Sequence, residues 1–84
     1  MNGPKTALIT GANGGIGSAL ARKLHSAGTR LVLAGRNEVA LKELSSELGV
    51  KFLLCDFTQP DEVASCITLA IDELGEIEAV AHCI

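Results

Sequence analysis

Tryptophan and tyrosine are absent from this chain of 84 residues, and Phe52 and Phe57 are its only aromatic side chains. A core must therefore be aliphatic. With 48% hydrophobic residues and a mean hydropathy of +0.35, the material for one is present. A block of one charge sign is missing too. Seven Lys and Arg against ten Asp and Glu leave a net charge of −3, and no basic cluster offers a surface to nucleic acid. No apolar run approaches the ~18 residues of a membrane-spanning helix. The opening Met-Asn-Gly-Pro-Lys-Thr lacks the apolar core of a signal peptide. These absences point to a cytoplasmic protein with neither nucleic acid nor membrane as partner. Cys55, Cys66 and Cys83 form an odd set with no Cys-x-x-Cys pair and have apolar neighbours, so reduced, buried thiols are expected. His25 and His82 stand at no metal-ligand spacing, apart from the adjacent His82-Cys83, which cannot make a site alone, and no metal site is expected.

The organising stretch is residues 5–17. The apolar run Ala7-Leu8-Ile9 leads directly into Gly11, Gly14, Gly15 and Gly17, and an amphipathic helix follows. Strand one is expected over 5–10 as a run buried on both faces. Helix one spans about 15–27, with Ile16, Leu20 and Leu24 as its apolar face and Gly28 after its end. Strand two covers 30–34. Asn37 is placed as the N-cap of a second helix with Leu41, Leu44 and Leu48 on one face, ended by Gly49. Strand three covers 50–55. Pro60 sits where a first helical residue belongs, and Asp61 and Glu62 suit the positive end of the helix dipole. Helix three shows Val63, Ile67, Ile71 and Leu74 and is closed by Gly75, and strand four occupies 77–84. No repeat, linker or low-complexity segment interrupts the series.

The alternation βαβαβαβ predicts an α/β fold with a parallel sheet, right-handed crossovers and the order 3-2-1-4, one half of a doubly wound fold. Helices one and two should share one face and helix three should lie alone on the other. Strand four then becomes an apolar open edge, prone to self-association or to pairing with a partner chain. The chain reads as a single domain over 1–84, truncated, the first part of a larger domain.

A strand, a glycine turn and a helix N-terminus in that order suit an anion, because free N–H groups and the helix dipole point at the turn. Glycines let the backbone approach a pyrophosphate. The alternative is a tight β–α turn without a ligand. A phosphate loop of the ATP-binding type is excluded, since no Gly-Lys-Ser/Thr follows.

Thr10-Gly11-Ala-Asn-Gly-Gly15-Ile-Gly17 resembles the TGxxxGxG signature of short-chain dehydrogenases/reductases, and through Gly11, Gly14 and Gly17 it also fits the TGxxGxxG form of the family's extended branch. The resemblance continues through Leu33-Ala-Gly-Arg36-Asn37, the Leu-rich second helix, Leu54-Cys-Asp56 and Gly75-Glu-Ile-Glu-Ala-Val-Ala-His-Cys83, and covers nearly the whole chain. It implies a partial Rossmann fold that binds a dinucleotide cofactor through Gly11, Asn13, Gly14, Gly15, Ile16, Gly17, Arg36, Asp56, Phe57 and Cys83. Asp56 matches the acid that accepts from the adenine amino group, with a turn or capping carboxylate as the alternative. Arg36 stands where an acid would grip the ribose 2′-hydroxyl of NAD. A guanidinium there instead suits the 2′-phosphate of NADP, unless it is a solvated loop arginine.

Two departures from the family pattern stand out. His82 and Cys83 replace an Asn-Asn pair, and His82 is expected to be a hydrogen-bonded core histidine rather than a catalyst. The family's catalytic serine and Tyr-x-x-x-Lys pair have no counterpart in these residues, so no catalytic residue is assigned. The resulting expectation is the NADP-binding segment of an oxidoreductase that moves hydride between a nicotinamide and a carbonyl or alcohol. Its rivals are a non-enzymatic nucleotide-binding or interaction module whose sheet edge accepts a partner chain, and a truncated product with no stable function.

Overall fold

A computed structural model describes residues 4–11 and 15–83. The elements are β1 (Thr6–Thr10), α1 (Gly15–Ser26), β2 (Arg30–Gly35), α2 (Glu38–Leu48), β3 (Lys51–Leu54), α3 (Pro60–Leu74) and β4 (Ala79–His82). The four strands form one parallel sheet in the order β3-β2-β1-β4, as the alternation predicts. Strands three and four are shorter than expected at both ends, and Ile84 lies outside the described residues.

Strand alternation divides the core into two layers. Ala7 and Ile9 of β1 join Leu31 and Leu33 of β2 beneath Ala21 of α1 and Leu41 and Leu44 of α2. Leu8, Val32 and Ala34 point the other way and meet Cys66, Ala70 and Leu74 of α3, with Cys55 beside them. Helices α1 and α2 thus cover one face and α3 the other, as right-handed crossovers require. Aliphatic side chains supply nearly all of this burial, and every residue of β1 is buried.

Local chemistry sets the helix ends. The Asn37 Oδ1 accepts from the Ala40 N–H at 3.1 Å and caps α2. Gly49 closes α2 in the left-handed conformation, with its N–H donating to the Ser45 carbonyl at 2.8 Å. Pro60 opens α3, and Arg30 donates to the Glu73 and Leu74 carbonyls at its far end, at 3.0 and 3.3 Å.

Two helix faces differ from expectation. Ile16 is 79% exposed, and α1 packs through Gly17 and Ala21 with Leu24 half-buried. Small residues win there because they let the helix backbone lie close to the sheet. On α3 the buried stripe is Cys66, Ala70 and Leu74, while Ile67 and Ile71 are exposed. The reason is position: α3 packs over β2, so its second apolar stripe reaches sideways towards β4 and stays uncovered.

Gly11 is the tightest point. Its φ is +68°, and a Cβ there would lie 1.5 Å from the Cys83 carbonyl oxygen. Among the described residues, a Cβ on Gly15 would meet nothing within 4 Å. Gly11→Ala is therefore expected to cost about 3 kcal/mol or more, from a left-handed backbone and an overlap with main chain that cannot swing aside. Gly15→Ala should stay within about 0.5 kcal/mol of the parent. Urea unfolding midpoints of the two variants give the comparison.

Candidate functional site

The carboxyl ends of the strands form the floor of a cavity. Sheet hydrogen bonding runs past the strands here: the Gly11 N–H donates to the Ala34 carbonyl (2.9 Å), Cys55 to Gly35 (2.8 Å) and Cys83 to Thr10 (2.9 Å). Each segment leaving the sheet is thereby held at the same level. The cavity has a volume of about 640 Å³ and is lined by Gly11, Gly35, Arg36, Asn37, Asp56, Phe57, Thr58, His82 and Cys83. Five of the residues singled out from sequence meet in it: Gly11, Arg36, Asp56, Phe57 and Cys83. Gly15 and Ile16 are exposed at the start of α1, whose first turn carries no acidic side chain, whereas Gly17 is buried. Asn13 and Gly14 lie outside the described residues.

Asp56 is half-buried and already committed to a local turn. Its Oδ1 accepts from the Thr58 hydroxyl at 2.7 Å and the Thr58 N–H at 3.0 Å. These bonds, opposed by partial burial and aided by the nearby Arg36 guanidinium, hold its carboxyl below the usual carboxylate range. The turn reading of Asp56 is thus realised, and its second oxygen is not used by that turn. Arg36 is exposed and takes part in none of the ion pairs among the described residues.

Thr58 was not singled out from sequence, although an Asp two residues before a Thr is the pattern of such a turn. His82 is hydrogen-bonded, as expected, but it does not lie in the core. It is exposed, bonds through Nδ1 to the buried Thr10 hydroxyl, and sets its ring edge-on to Phe57 at a centroid distance of 5.9 Å. The sheet register explains this, because His82 is the β4 partner of Thr10 on the α3 face of the sheet, at the edge that α3 leaves uncovered. Cys55 and Cys66 are buried free thiols, as expected, and Cys83 is half-buried. Burial pushes Cys66 up to about 11 and also raises Cys55, so both are held as thiols.

A second cavity of about 710 Å³ lies between α3 and β4, walled by Leu8, Val63, Ile67, Ile71 and Val80 and sharing Phe57 and His82 with the first. No helix of the described residues is long and apolar enough to cross a membrane, and no group of three metal-ligating side chains occurs among them.

The family model for short chain dehydrogenases matches residues 5–83. The chain belongs to the short-chain dehydrogenase family. It is 38% identical to an uncharacterised oxidoreductase of Staphylococcus epidermidis over 80 residues, 93% of this chain and 35% of that protein. It is 42% identical to a 3-oxoacyl-[acyl-carrier-protein] reductase of Rickettsia bellii over 65 residues, 75% of this chain and 27% of that one. Among solved structures, a short chain dehydrogenase/reductase from Burkholderia phymatum in complex with NAD superposes with a TM-score of 0.88 at 32% identity, covering 94% of this chain and 30% of that one. This short-chain dehydrogenase chain therefore spans about a third of the length of the relatives it matches.

The Asp56 turn gives a pH test. A carboxyl lowered in the folded chain contributes stability that is complete above its unfolded value, ~3.9, and is lost as pH falls through the lowered folded value. Thr58→Ala should move the Asp56 titration, followed by carboxyl carbon NMR, up towards the ordinary range. It should also flatten the acid limb of the stability curve.

Proposed function

We propose that this chain is the NADP-binding segment of a short-chain oxidoreductase, whose complete form moves hydride between the nicotinamide and a carbonyl or alcohol. In this reading residues 1–84 are one Rossmann half of a larger domain. The observation that carries it is the meeting of Gly11, Arg36, Asp56, Phe57 and Cys83 around one cavity at the strand ends. The residues fit such a ligand. No described residue comes within 4 Å of a Cβ on Gly15, no acid in the first turn of α1 repels an anion, and the unused Asp56 oxygen is an acceptor for an exocyclic amine. Gly14, Gly15, Ile16 and Gly17, with Asn13, take the pyrophosphate side, and Arg36 takes the ribose. The NAD complex of the Burkholderia protein supports a nicotinamide dinucleotide. The preference for NADP over NAD rests on Arg36, because no carboxylate occupies position 35 or 36 to hold a 2′-hydroxyl and repel a phosphate. The nicotinamide supplies the hydride chemistry when bound. This chain's residues bind and orient it, and none of them is assigned a catalytic role.

A guanidinium–phosphate contact is worth about 1.5–3 kcal/mol, or roughly ten- to a hundredfold in affinity, with exposure favouring the lower figure. Arg36→Ala should weaken NADPH binding about tenfold, leave NADH nearly unchanged, and lose its effect as salt is added. Equal weakening of both cofactors, or of neither, removes the assignment of Arg36. Parallel titrations of the two cofactors by reduced-nicotinamide fluorescence provide the measurement.

A second reading, an interaction module whose β4 edge accepts a partner chain, draws on Val80, which is 61% exposed beside the uncovered stripe of α3. It predicts concentration-dependent association in sedimentation velocity, reduced by Val80→Lys. A monomer at every concentration removes it.

A further inference from the structure

The sheet has two outer strands, and the edge at β3 differs in charge from the edge at β4. Among the described residues β3 pairs only with β2. The Cys55 N–H turns inward to the Gly35 carbonyl, so strand alternation turns the N–H and C=O groups of Phe52 and Leu54 outward. Two adjoining hollows of about 410 and 210 Å³ run between this edge and α3 and share Leu53 and Leu69. Leu54 and Leu69 are each about half-exposed, so the groove offers apolar contact to a partner. Asp61 and Glu62 stand at the Leu54 end, and Asp72 and Glu73 stand at the Lys51 end. Lys51 is the one cation of the groove among the described residues, and its Nζ lies 3.7 Å from Glu73. Four carboxylates and one ammonium leave three negative charges in excess, which is the net charge of the whole chain, −3. The imbalance of the chain is thus gathered at one sheet edge.

We propose that this groove docks an extended segment of another protein, one whose cationic side chains alternate with apolar ones, as an added strand beside β3. The strand edge supplies directional hydrogen bonds, and the carboxylates supply the choice of partner. Side chains of an added strand point alternately to the two faces. Those on the α3 face meet the carboxylates, and those on the other face lie against Phe52 and Leu54. Asp61 and Asp72 are about three turns apart on α3, about 16 Å along its axis. An extended chain covers that span in about five residues and repeats a face at every second one, so cations at i and i+4 reach both ends. Glu62 accepts from the Asp56 N–H at 3.0 Å and Glu73 meets Lys51, whereas Asp61 and Asp72 take part in no ion pair among the described residues. A second copy of the chain does not fit. Two β3 edges would set carboxylates against carboxylates, and β4, Ala79–His82, carries no Lys or Arg to meet them. The groove lies at the opposite edge of the sheet from β4, and the proposal does not depend on the dinucleotide reading.

The probe is a fluorescein-labelled peptide with blocked ends, Lys-Val-Thr-Val-Lys-Val-Thr, titrated with the 84-residue chain and followed by fluorescence anisotropy. One control peptide carries Glu in place of both Lys. Another carries Pro-Pro in place of the first Thr-Val, which removes an N–H from each side of the strand. The Lys peptide should bind saturably, and both controls should bind at least about tenfold more weakly. Asp61→Asn combined with Asp72→Asn should weaken the Lys peptide about three- to tenfold at low salt, and the difference should shrink as salt is added. Lys51→Gln removes the competing ammonium and should strengthen binding about two- to threefold, a gain that loss of folding cannot mimic. Amide NMR shifts on adding the peptide should centre on Phe52, Leu54 and Leu69 and leave Val80 unmoved.

Absence of saturable binding of the Lys peptide up to about 1 mM overturns the proposal. Equal binding of the Glu peptide, or unchanged affinity in both the Asp61/Asp72 and the Lys51 variants at low salt, removes charge as the basis of partner choice and overturns it too. Equal binding of the Pro-Pro peptide shows a contact without strand addition, and shifts centred on Val80 place the peptide at β4. Either result overturns docking at the β3 edge.

Discussion

Gly11 and Cys83 meet main chain to main chain, and the rest of the candidate site depends on that meeting. The Cys83 N–H bonds back to Thr10, and its carbonyl fills the space a Cβ on Gly11 would need. A side chain at position 11 would push β4 away from β1, and with it the edge of the cavity floor. The first glycine of the turn thus has a structural duty before any ligand is considered. Gly15 makes no such contact among the described residues, where a Cβ on it would meet nothing within 4 Å. Two glycines that look equivalent in the motif are held there by different physical demands.

Charge around the cavity is distributed by local bonding. Asp56 spends one oxygen on Thr58, which both orients the carboxylate and keeps it ionised. Arg36 follows the buried end of β2 and precedes the Asn37 cap, so its backbone is fixed on both sides while its side chain stays in solvent. An acceptor and a cation therefore project from rigid anchor points. The surface pairs elsewhere act differently. Arg22 and Glu47 tie α1 to α2 at 2.7 Å, but both are about half-exposed, and such pairs are worth little.

The apolar surface is divided unevenly. The α1–α2 face buries Ala7, Ile9, Leu31 and Leu33, whereas α3 covers only part of the opposite face, and Ile67, Ile71 and Val80 remain in solvent. A sheet with helices on both faces is complete only where both faces are covered. The exposed stripe and the fact that the chain spans about a third of its relatives' length are consistent with each other.

The sequence alone determined the element series, the parallel order and the helix caps, because these rest on short-range rules. Apolar runs mark strands, Asn37 and Pro60 mark helix starts, Gly49 marks an end, and chirality leaves one arrangement of crossovers. The glycine motif and Arg36 were legible for the same reason: each is a residue type at a fixed offset from a strand end. Tertiary structure decided which apolar stripe of a helix is buried. Periodicity gives α3 two candidate stripes, and only its position over β2 selects Cys66, Ala70 and Leu74 over Ile67 and Ile71. It likewise decided the setting of His82, whose neighbours Thr10 and Phe57 come from distant parts of the chain. No local rule could bring them together, because cross-strand register exists only after the sheet has formed.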